Sequence, residues 1–363
     1  MHGFVLRATL IAAVFSLALG ADAAAPSAAP PGGVFTVTPL VSDVPGAAAT
    51  LDPHLVNAWG LARSATSPWW VADNGTDEST LYPVVGTNLG TNPLVVDVAG
   101  GPTGVVFAGI ADNFLVATDT DPTLGRASFV FDSEDGQVRA WRGGSTALVT
   151  ARGGAGAIYK GLAIAVPSPG QPLLYAADFH NARVDVFNGA WQNVTQPGSF
   201  VDPMLPDDYA PFGIQTIGTR IFVSYAKQDE DAEDEIAGQG RGFVDAYDLA
   251  GNLLTRVAQH GQLDAPWGLA LAPDTFGRYA GDLLVGNFGN GEINAYAETP
   301  AGFEHRGTLR SSDGQKLAID GLWALEFGNA GSNGTPDTLF FTAGPDDESH
   351  GLFGTITGSG SLS

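Results

Sequence analysis

A short turn followed by a glycine and an apolar strand recurs six times along this sequence, at intervals of about 50 residues. Typical openings are Asn57–Ala62 and Ala265–Ala270, and each is followed by a second strand-like run with a polar end. A repeat of this length, made only of short strands and turns, predicts one blade of a β-propeller. The sequence therefore predicts an all-β fold, a six-bladed β-propeller. The repeat glycines are Gly60, Gly104, Gly161, Gly213, Gly268 and Gly321.

The sixth repeat is one strand short. It offers strands at Leu322–Phe327, Thr338–Thr342 and Leu352–Thr357, whereas an extra strand-like segment, Phe35–Asp43, precedes the first repeat. A propeller must close its ring or leave strand edges unpaired. We therefore expect Phe35–Asp43 to be the outer strand of blade six, beside Leu352–Thr357. In blade three an outer strand is expected near Trp191.

The N-terminal region has the features of a secretory signal. Residues 1–23 combine a basic start, a short apolar run and the small residues Ala21-Asp22-Ala23 at a cleavage site, with an alternative site after Ala25. Residues 24–33 are rich in Pro, Ala and Gly and predict a flexible leader. We expect residues 34–363 to form a single propeller domain in an extracytoplasmic protein, periplasmic or secreted.

The charge of the chain restricts its partners. The 39 acidic residues against 16 basic ones give a formal charge of −23, which repels nucleic acid and anionic membrane surfaces. No later segment is apolar enough to span a bilayer, and the absence of cysteine leaves packing and strand closure to stabilise the fold. We expect an acidic monomer that binds a small molecule, a glycan or a surface protein, with neither nucleic acid nor membrane insertion.

The residue before each repeat glycine is expected at the mouth of the central axis, where loops converge. Blades three and six are opposite in a six-membered ring, so Lys160 is expected to face Asp320 across a mouth flanked by aromatic rings. Such a mouth suits a sugar ring; alternatively, these side chains simply pack between blades. We call these six positions the rim, and all of them except Thr103 are predicted ligand-binding residues. In blade order the rim consists of Trp59, Thr103, Lys160, Phe212, Trp267 and Asp320.

The second and third strands of several repeats contain Val71–Gly75, Ala176–Val184 and Val285–Gly291. These segments resemble the NHL and gluconolactonase-like propellers, and the latter hold a Ca²⁺ near the axis. Carboxylate and amide oxygens are the ligands that such a cation prefers. The alternative is that these side chains form turns through local bonds to the backbone. The residues that the resemblance places at comparable blade positions are Asp73, Asp178 and Asn287.

A closer resemblance covers most of the sequence after the leader. It rests on Leu40–Asp43, Asp52–Gly60, Ala226–Asp231, Phe340–Pro345 and Gly351–Gly354. These segments are similar to those of a family of exported bacterial proteins, many of which carry a PEP-CTERM sorting tail. The resemblance implies a propeller and export, and it implies no activity. The sequence ends shortly after Gly354, so sorting by such a tail is not expected.

Three histidines and one acidic run are further candidates for chemistry. His54, His180 and His350 are near predicted top-face loops, where one could act as a general base or merely form hydrogen bonds. The run Asp229–Glu235 could bind a cation, dock a basic partner or form a solvated loop. A Gly-x-Ser-x-Gly nucleophile motif is absent.

Two functions remain open at this point. The aromatic mouth and the lack of a nucleophile motif favour a recognition module that binds a glycan or a surface partner through its top face. The Asp and Asn set instead favours a metal-dependent, lactonase-like hydrolase or lyase. Fold alone does not decide between them, because propellers support both.

Overall fold

Six antiparallel sheets follow one another around a central axis and form the six predicted blades. The computed structural model describes residues 33–90, 92–110 and 112–358. The predicted signal peptide, residues 1–23, and all but the last residue of the predicted leader lie outside these ranges. The described residues belong to one compact unit of the chain, Pro31–Ser363.

Each blade begins with an inner strand next to the axis and continues outwards. Blade one consists of Ala58–Ala62, Trp69–Asp73, Glu78–Tyr82 and Val96–Asp97. Blade two consists of Pro102–Phe107, Phe129–Ser133, Gln137–Trp141 and Leu148–Arg152. Blade three consists of Tyr159–Ser168, Gln171–Asp178 and Arg183–Asn188.

The second half of the ring repeats this order. Blade four consists of Tyr209–Ile217, Arg220–Lys227, Phe243–Asp248 and Leu253–Gln259. Blade five consists of Pro266–Leu271, Leu283–Asn287, Ile293–Thr299 and Gly302–Thr308. Blade six consists of Leu322–Phe327, Leu339–Ala343, Leu352–Gly358 and Phe35–Ser42, with the short strand Thr50–Leu51 beyond them.

In the described part of the chain, four short strands and two 3-10 turns lie outside the six blade sheets. The strands pair as two small hairpins, and no helix within the described residues is long and apolar enough to cross a bilayer. The hairpins are Val84–Val85 with Asn88–Leu89, and Leu115–Val116 with Gly125–Arg126. The 3-10 turns are Asn74–Thr76 and Gly277–Tyr279.

The repeat glycines allow neighbouring inner strands to approach each other closely. A Cβ atom at Gly60 would lie 2.3 Å from the carbonyl oxygen of Thr103, and one at Gly213 would lie 2.1 Å from that of Trp267. Both distances are shorter than a side chain tolerates, so the backbone contact requires glycine. The glycines of the sequence repeat therefore mark the positions where the inner strand of one blade packs on that of the next.

The rim position of blade six differs from the prediction. A Cβ at Gly268 would lie 2.5 Å from the Trp323 carbonyl, and Gly60, Gly161 and Gly213 make the same contact with the carbonyl of a rim residue. Trp323, not Asp320, therefore holds the rim position, and Ala324 stands where the other blades have glycine. Gly321 belongs to the turn before the strand and has φ +61°.

The N-terminal strand closes the ring as predicted. Phe35–Ser42 pairs antiparallel with Leu352–Gly358. Just beyond the strand, the Asp43 carboxylate accepts hydrogen bonds from His350 Nδ1 (2.7 Å) and from the Gly351 amide (2.8 Å). The Phe35 ring is 1% exposed and packs on blade-five residues, so the closing strand is fixed by side chains as well as by the backbone ladder.

Blade three lacks the outer strand expected near Trp191. Trp191 adopts φ +64°, a left-handed conformation that interrupts an extended strand. An irregular loop covers the edge instead: the Val186 amide donates to Thr195 Oγ1 (2.8 Å), and Val194 donates to the Val186 carbonyl (2.7 Å). The edge is thus protected without a fourth strand.

Candidate functional site

Stacked aromatic rings close the axis at the top face, the face on which the inner strands begin. The rings of Trp59 and Trp323 stack with centroids 3.7 Å apart, and Phe288 stacks on Trp323 at 4.1 Å. Phe212 and Trp267 meet Trp323 edge-on. Below this aromatic plug, the inner strands enclose a cavity of about 30 Å³, which has room for roughly one water molecule.

The plug changes the roles of the predicted rim residues. Trp59 and Phe212 are buried, so in this structure neither offers a face to a ligand. Trp267 is half-buried and donates its indole N–H to the Lys160 carbonyl at 2.7 Å. Asp320 is exposed beside the rim and accepts a hydrogen bond from the Asp346 amide, so it does not pair with Lys160 across the mouth.

Lys160 occupies the centre of the top face. Its ammonium group donates to Glu134 Oε1 at 2.6 Å and to Asp234 Oδ1 at 3.0 Å, and it lies 5.3 Å from the centroid of the Trp59 ring. Its side chain is 2% exposed. Burial acts to lower the pKa of Lys160, but the carboxylates of Glu134, Glu235 and Asp234 raise it more strongly, so the ammonium stays charged.

The hydrogen bonds continue from Glu134 into blades one and six. Asn74 Nδ2 donates to Glu134 Oε2 (2.9 Å), and Asn57 Nδ2 lies 3.1 Å from Asn74 Oδ1 and 2.6 Å from Glu348 Oε2. The indole N–H of Trp323 donates to Asn57 Oδ1 at 2.9 Å. We call Lys160, Glu134, Asn74, Asn57, Glu348 and Asp234 the central polar network.

Five blades contribute to this network. Asn74, Glu134 and Glu348 each follow the second strand of a blade, and Asp234 lies in the corresponding loop of blade four. The expectation that these loops converge around the axis is thus confirmed. Sequence reasoning missed Glu134 and Asn57, although Glu134 occupies the same place after its strand as Asn74 does.

Negative charge exceeds positive charge at this centre. Burial raises the pKa of the Glu235 carboxyl to about 8, against the opposing effect of Lys160. Burial also raises the pKa of Glu348, although the hydrogen bond from Asn57 opposes it. Around neutral pH the centre therefore combines one ammonium group, ionised carboxylates and a carboxyl that keeps its proton.

The acidic run of blade four folds over this centre. Asp234 binds Lys160, and the half-buried Glu235 is next to it. Asp229 holds the turn, because its Oδ1 accepts the Glu233 amide at 2.9 Å. The run is therefore part of the site and not only a solvated loop.

Two of the three predicted metal ligands, Asp178 and Asn287, have hydrogen-bond partners close to them in the sequence. Asp178 accepts bonds from Asn181 and pairs with Arg183 at 3.2 Å, and Asn287 Nδ2 donates to the Gln262 carbonyl. Asp73 is fully buried, which raises its pKa well above the ordinary value.

These surroundings do not fit a shared Ca²⁺. Burial opposes the ionised form of Asp73, which is the form that binds calcium, and the Arg183 cation opposes a second cation at Asp178. Within the described ranges, no three His, Asp or Glu side chains form a group that could hold a metal ion. Calcium binding stays a prediction from resemblance.

The candidate histidines lie outside the hydrogen bonds of the network. His54 Nδ1 contacts Glu78 at 2.7 Å, and His180 Nδ1 contacts the Ala232 carbonyl at 3.2 Å. The hydrogen bond with Asp43 raises the pKa of His350. The structure thus gives each of them a local partner.

Comparison with known proteins agrees with the fold. No family model matches the chain. The structure resembles the soluble aldose sugar dehydrogenase of Escherichia coli, with a TM-score of 0.53 and 14% identity over 89% of this chain and 99% of that one. A likeness at this identity concerns the fold alone.

Two proteins of Acanthamoeba polyphaga mimivirus are similar in sequence. One, described as uncharacterized protein L690, is 28% identical over 342 residues, which cover 89% of this chain and 85% of the viral one. The other, uncharacterized protein R648, is 31% identical over 332 residues, which cover 87% and 78%. Because this identity extends over most of both chains, the protein belongs to the same family as mimivirus protein R648.

Proposed function

We propose that the protein is an exported recognition module that binds a neutral, hydroxyl-rich glycan at the central polar network. The observation that carries the proposal is the convergence of carboxylate and amide groups from five blades around Lys160. Such groups accept hydrogen bonds from sugar hydroxyls, and the half-buried Trp267 and Phe288 add apolar surface beside them.

The charges at the centre favour a neutral ligand over an acidic one. The Lys160 ammonium already donates to two carboxylates, so it has little attraction left for an anion. Glu348 and Asp234 would repel an acidic group. The sequence predicted only Asp320 opposite Lys160, and it did not predict the carboxylate partners Glu134 and Asp234.

Calorimetry against neutral and acidic oligosaccharides tests the proposal. Asp234→Asn preserves the shape of an exposed network member, and loss of its charged hydrogen bonds should weaken neutral glycans about tenfold. Glu230→Gln changes an exposed acid of the same loop outside the network and should bind like the wild type. If no neutral glycan binds, or if Asp234→Asn binds them all unchanged, the proposal fails.

Acid–base catalysis is the second candidate, because Glu235 holds a proton near neutral pH beside ionised carboxylates. A hydrolase or lyase of the lactonase type would use such a carboxyl as a proton donor. Turnover of a lactone panel that is lost in Glu235→Gln, but kept in EDTA, would favour this function without a metal. Glycan binding without turnover would favour recognition.

Export forms a separate part of the proposal. When the full chain is expressed in a bacterium, the mature protein should be found outside the cytoplasm, with an N-terminus at Ala24 or Pro26. N-terminal sequencing of the fractionated protein checks this. An intact Met1 in the cytoplasmic fraction would refute export but not glycan binding.

A further inference from the structure

A second pocket opens at the other end of the axis, where the inner strands end. Its volume is about 230 Å³, and five blades contribute to its lining. Apolar walls, among them Phe107 and Ile164, surround four polar side chains. We call this the lower pocket, and its polar residues are Arg63, Gln215, Thr216 and Glu326.

Arg63 and Glu326 form a fixed pair at this pocket. Arg63 donates from Nε and Nη2 to the Phe327 carbonyl at 3.0 and 2.6 Å, and its guanidinium group lies 5.3 Å from the centre of the Trp69 ring. Arg63 Nη2 is 3.4 Å from Glu326 Oε1. These contacts orient the pair, and above about pH 7 the ionised carboxylate of Glu326 balances the charge of Arg63. Burial raises the pKa of Glu326 to about 7, against the effect of Arg63.

Two uncharged polar groups of the lower pocket lack partners. Thr216 Oγ1 is buried and makes no hydrogen bond with any described residue. The side-chain amide of Gln215 also has no partner in the described part of the chain, but unlike Thr216 Oγ1 it is not fully buried. A buried polar group without a partner costs about 1 to 3 kcal/mol, so a fold keeps one only where something else satisfies it.

We propose that the lower pocket is a second binding site, for a small uncharged molecule that carries several hydroxyl groups. Such a molecule can both donate and accept, as the Gln215 amide and the Thr216 hydroxyl require. A charged ligand would disturb the balanced Arg63–Glu326 pair and leave one buried charge uncompensated. The site lies at the opposite face from the central polar network and does not depend on the function proposed there.

Saturation-transfer NMR with glycerol, erythritol and xylose, alongside acetate and lactate, tests this site. The wild type should bind at least one of the three uncharged probes. Thr216→Val removes the hydroxyl at nearly constant volume and should weaken that probe about fivefold to tenfold. Thr216→Ser keeps the hydroxyl and should retain binding, and Thr36→Val changes an exposed threonine as a control.

Each outcome decides the proposal. Binding of an uncharged probe that Thr216→Val weakens, and that Thr216→Ser retains, supports it. Absence of binding by all three uncharged probes means that the pocket holds only water, and it overturns the proposal. Binding of acetate or lactate alone overturns the assigned ligand class. If Thr216→Val does not fold, Gln215→Leu replaces it in the same comparison.

Discussion

Replacing Lys160 with Met tests whether the buried ammonium group holds the top face together. Met keeps most of the apolar stem against Trp59 but leaves Glu134, Asp234, Glu235 and Glu348 without their cation. We expect the free energy of unfolding to fall by about 2 to 3 kcal/mol at pH 8. The variant should still fold, because the aromatic plug and the ring closure do not need this charge.

The magnitude follows from the exposure of the partners. Removing one member of a fully buried ion pair costs about 3 to 5 kcal/mol, because the remaining charge is left without compensation. Here the side chains of Glu134 and Asp234 are 33% and 72% exposed, so water can solvate them once the ammonium is gone. Loss of the cation–π contact with Trp59 adds about 0.5 to 1 kcal/mol.

The loss should be smaller at pH 5 than at pH 8. Glu235, whose pKa is raised to about 8, carries its proton at pH 5, so the carboxylates repel each other less when the cation is missing. Urea unfolding at both pH values measures the difference, with Lys316→Met as the matched control. Lys316 pairs with Glu292 at the surface, and its loss should cost less than about 1 kcal/mol.

Two results would refute this reasoning. If Lys160→Met loses no more stability than Lys316→Met, the buried ammonium does not hold the network. If the loss is equal at pH 5 and pH 8, the carboxylates do not interact with it as the contacts indicate.

Three further outcomes are expected. Phe35→Ala should cost about 3 to 5 kcal/mol in a single transition because the buried ring anchors the closing strand, whereas Thr36→Ala on its exposed side should cost under about 0.5 kcal/mol; equal stabilities by urea unfolding would contradict this. The folded state raises the pKa of Glu235 from 4.5 to about 8, so it retains a proton that the unfolded chain releases, and wild-type stability falls as pH rises through that window. Glu235→Gln should therefore gain stability over the wild type between pH 7 and 9 in thermal melts, while Glu233→Gln should follow the wild type. Melting temperatures in EDTA and in calcium should coincide, and a rise with calcium would restore the shared-ion hypothesis.

The fold could be predicted because the repeat glycines have one physical cause. Neighbouring inner strands approach so closely that a Cβ at Gly60 or Gly213 would collide with the backbone of the next strand. These contacts therefore require glycine, which the sequence shows. In blade six the corresponding position is Ala324, not glycine. Because Gly321 in the preceding turn was taken for the repeat glycine, the rim residue was predicted to be Asp320, whereas it is Trp323. Outer strands carry no such signature, so the loop that replaces one in blade three was not foreseen.

The candidate site could be predicted only by region. Loops were expected to converge at the mouth of the axis, and the acidic run Asp229–Glu235 was recognised as a candidate. Sequence does not show which side of a rim residue faces solvent, so Trp59 was predicted either to bind a ligand or to pack between blades. In the structure it stacks on Trp323 beneath the Lys160 ammonium group. The partners of Lys160 come from blades two and four, and no local pattern joins them.

The aromatic plug separates the two ends of the axis into different chemical environments. Above it, carboxylates exceed the single ammonium of Lys160, and below it the pair formed by Arg63 and Glu326 is balanced. The Trp59–Trp323 stack and the narrow cavity beneath it lie between them, with room for about one water molecule. A ligand at one end therefore neither reaches the other nor shares its contacts. Substitutions at Asp234 and at Thr216 should accordingly act independently, as expected for distant sites without common partners.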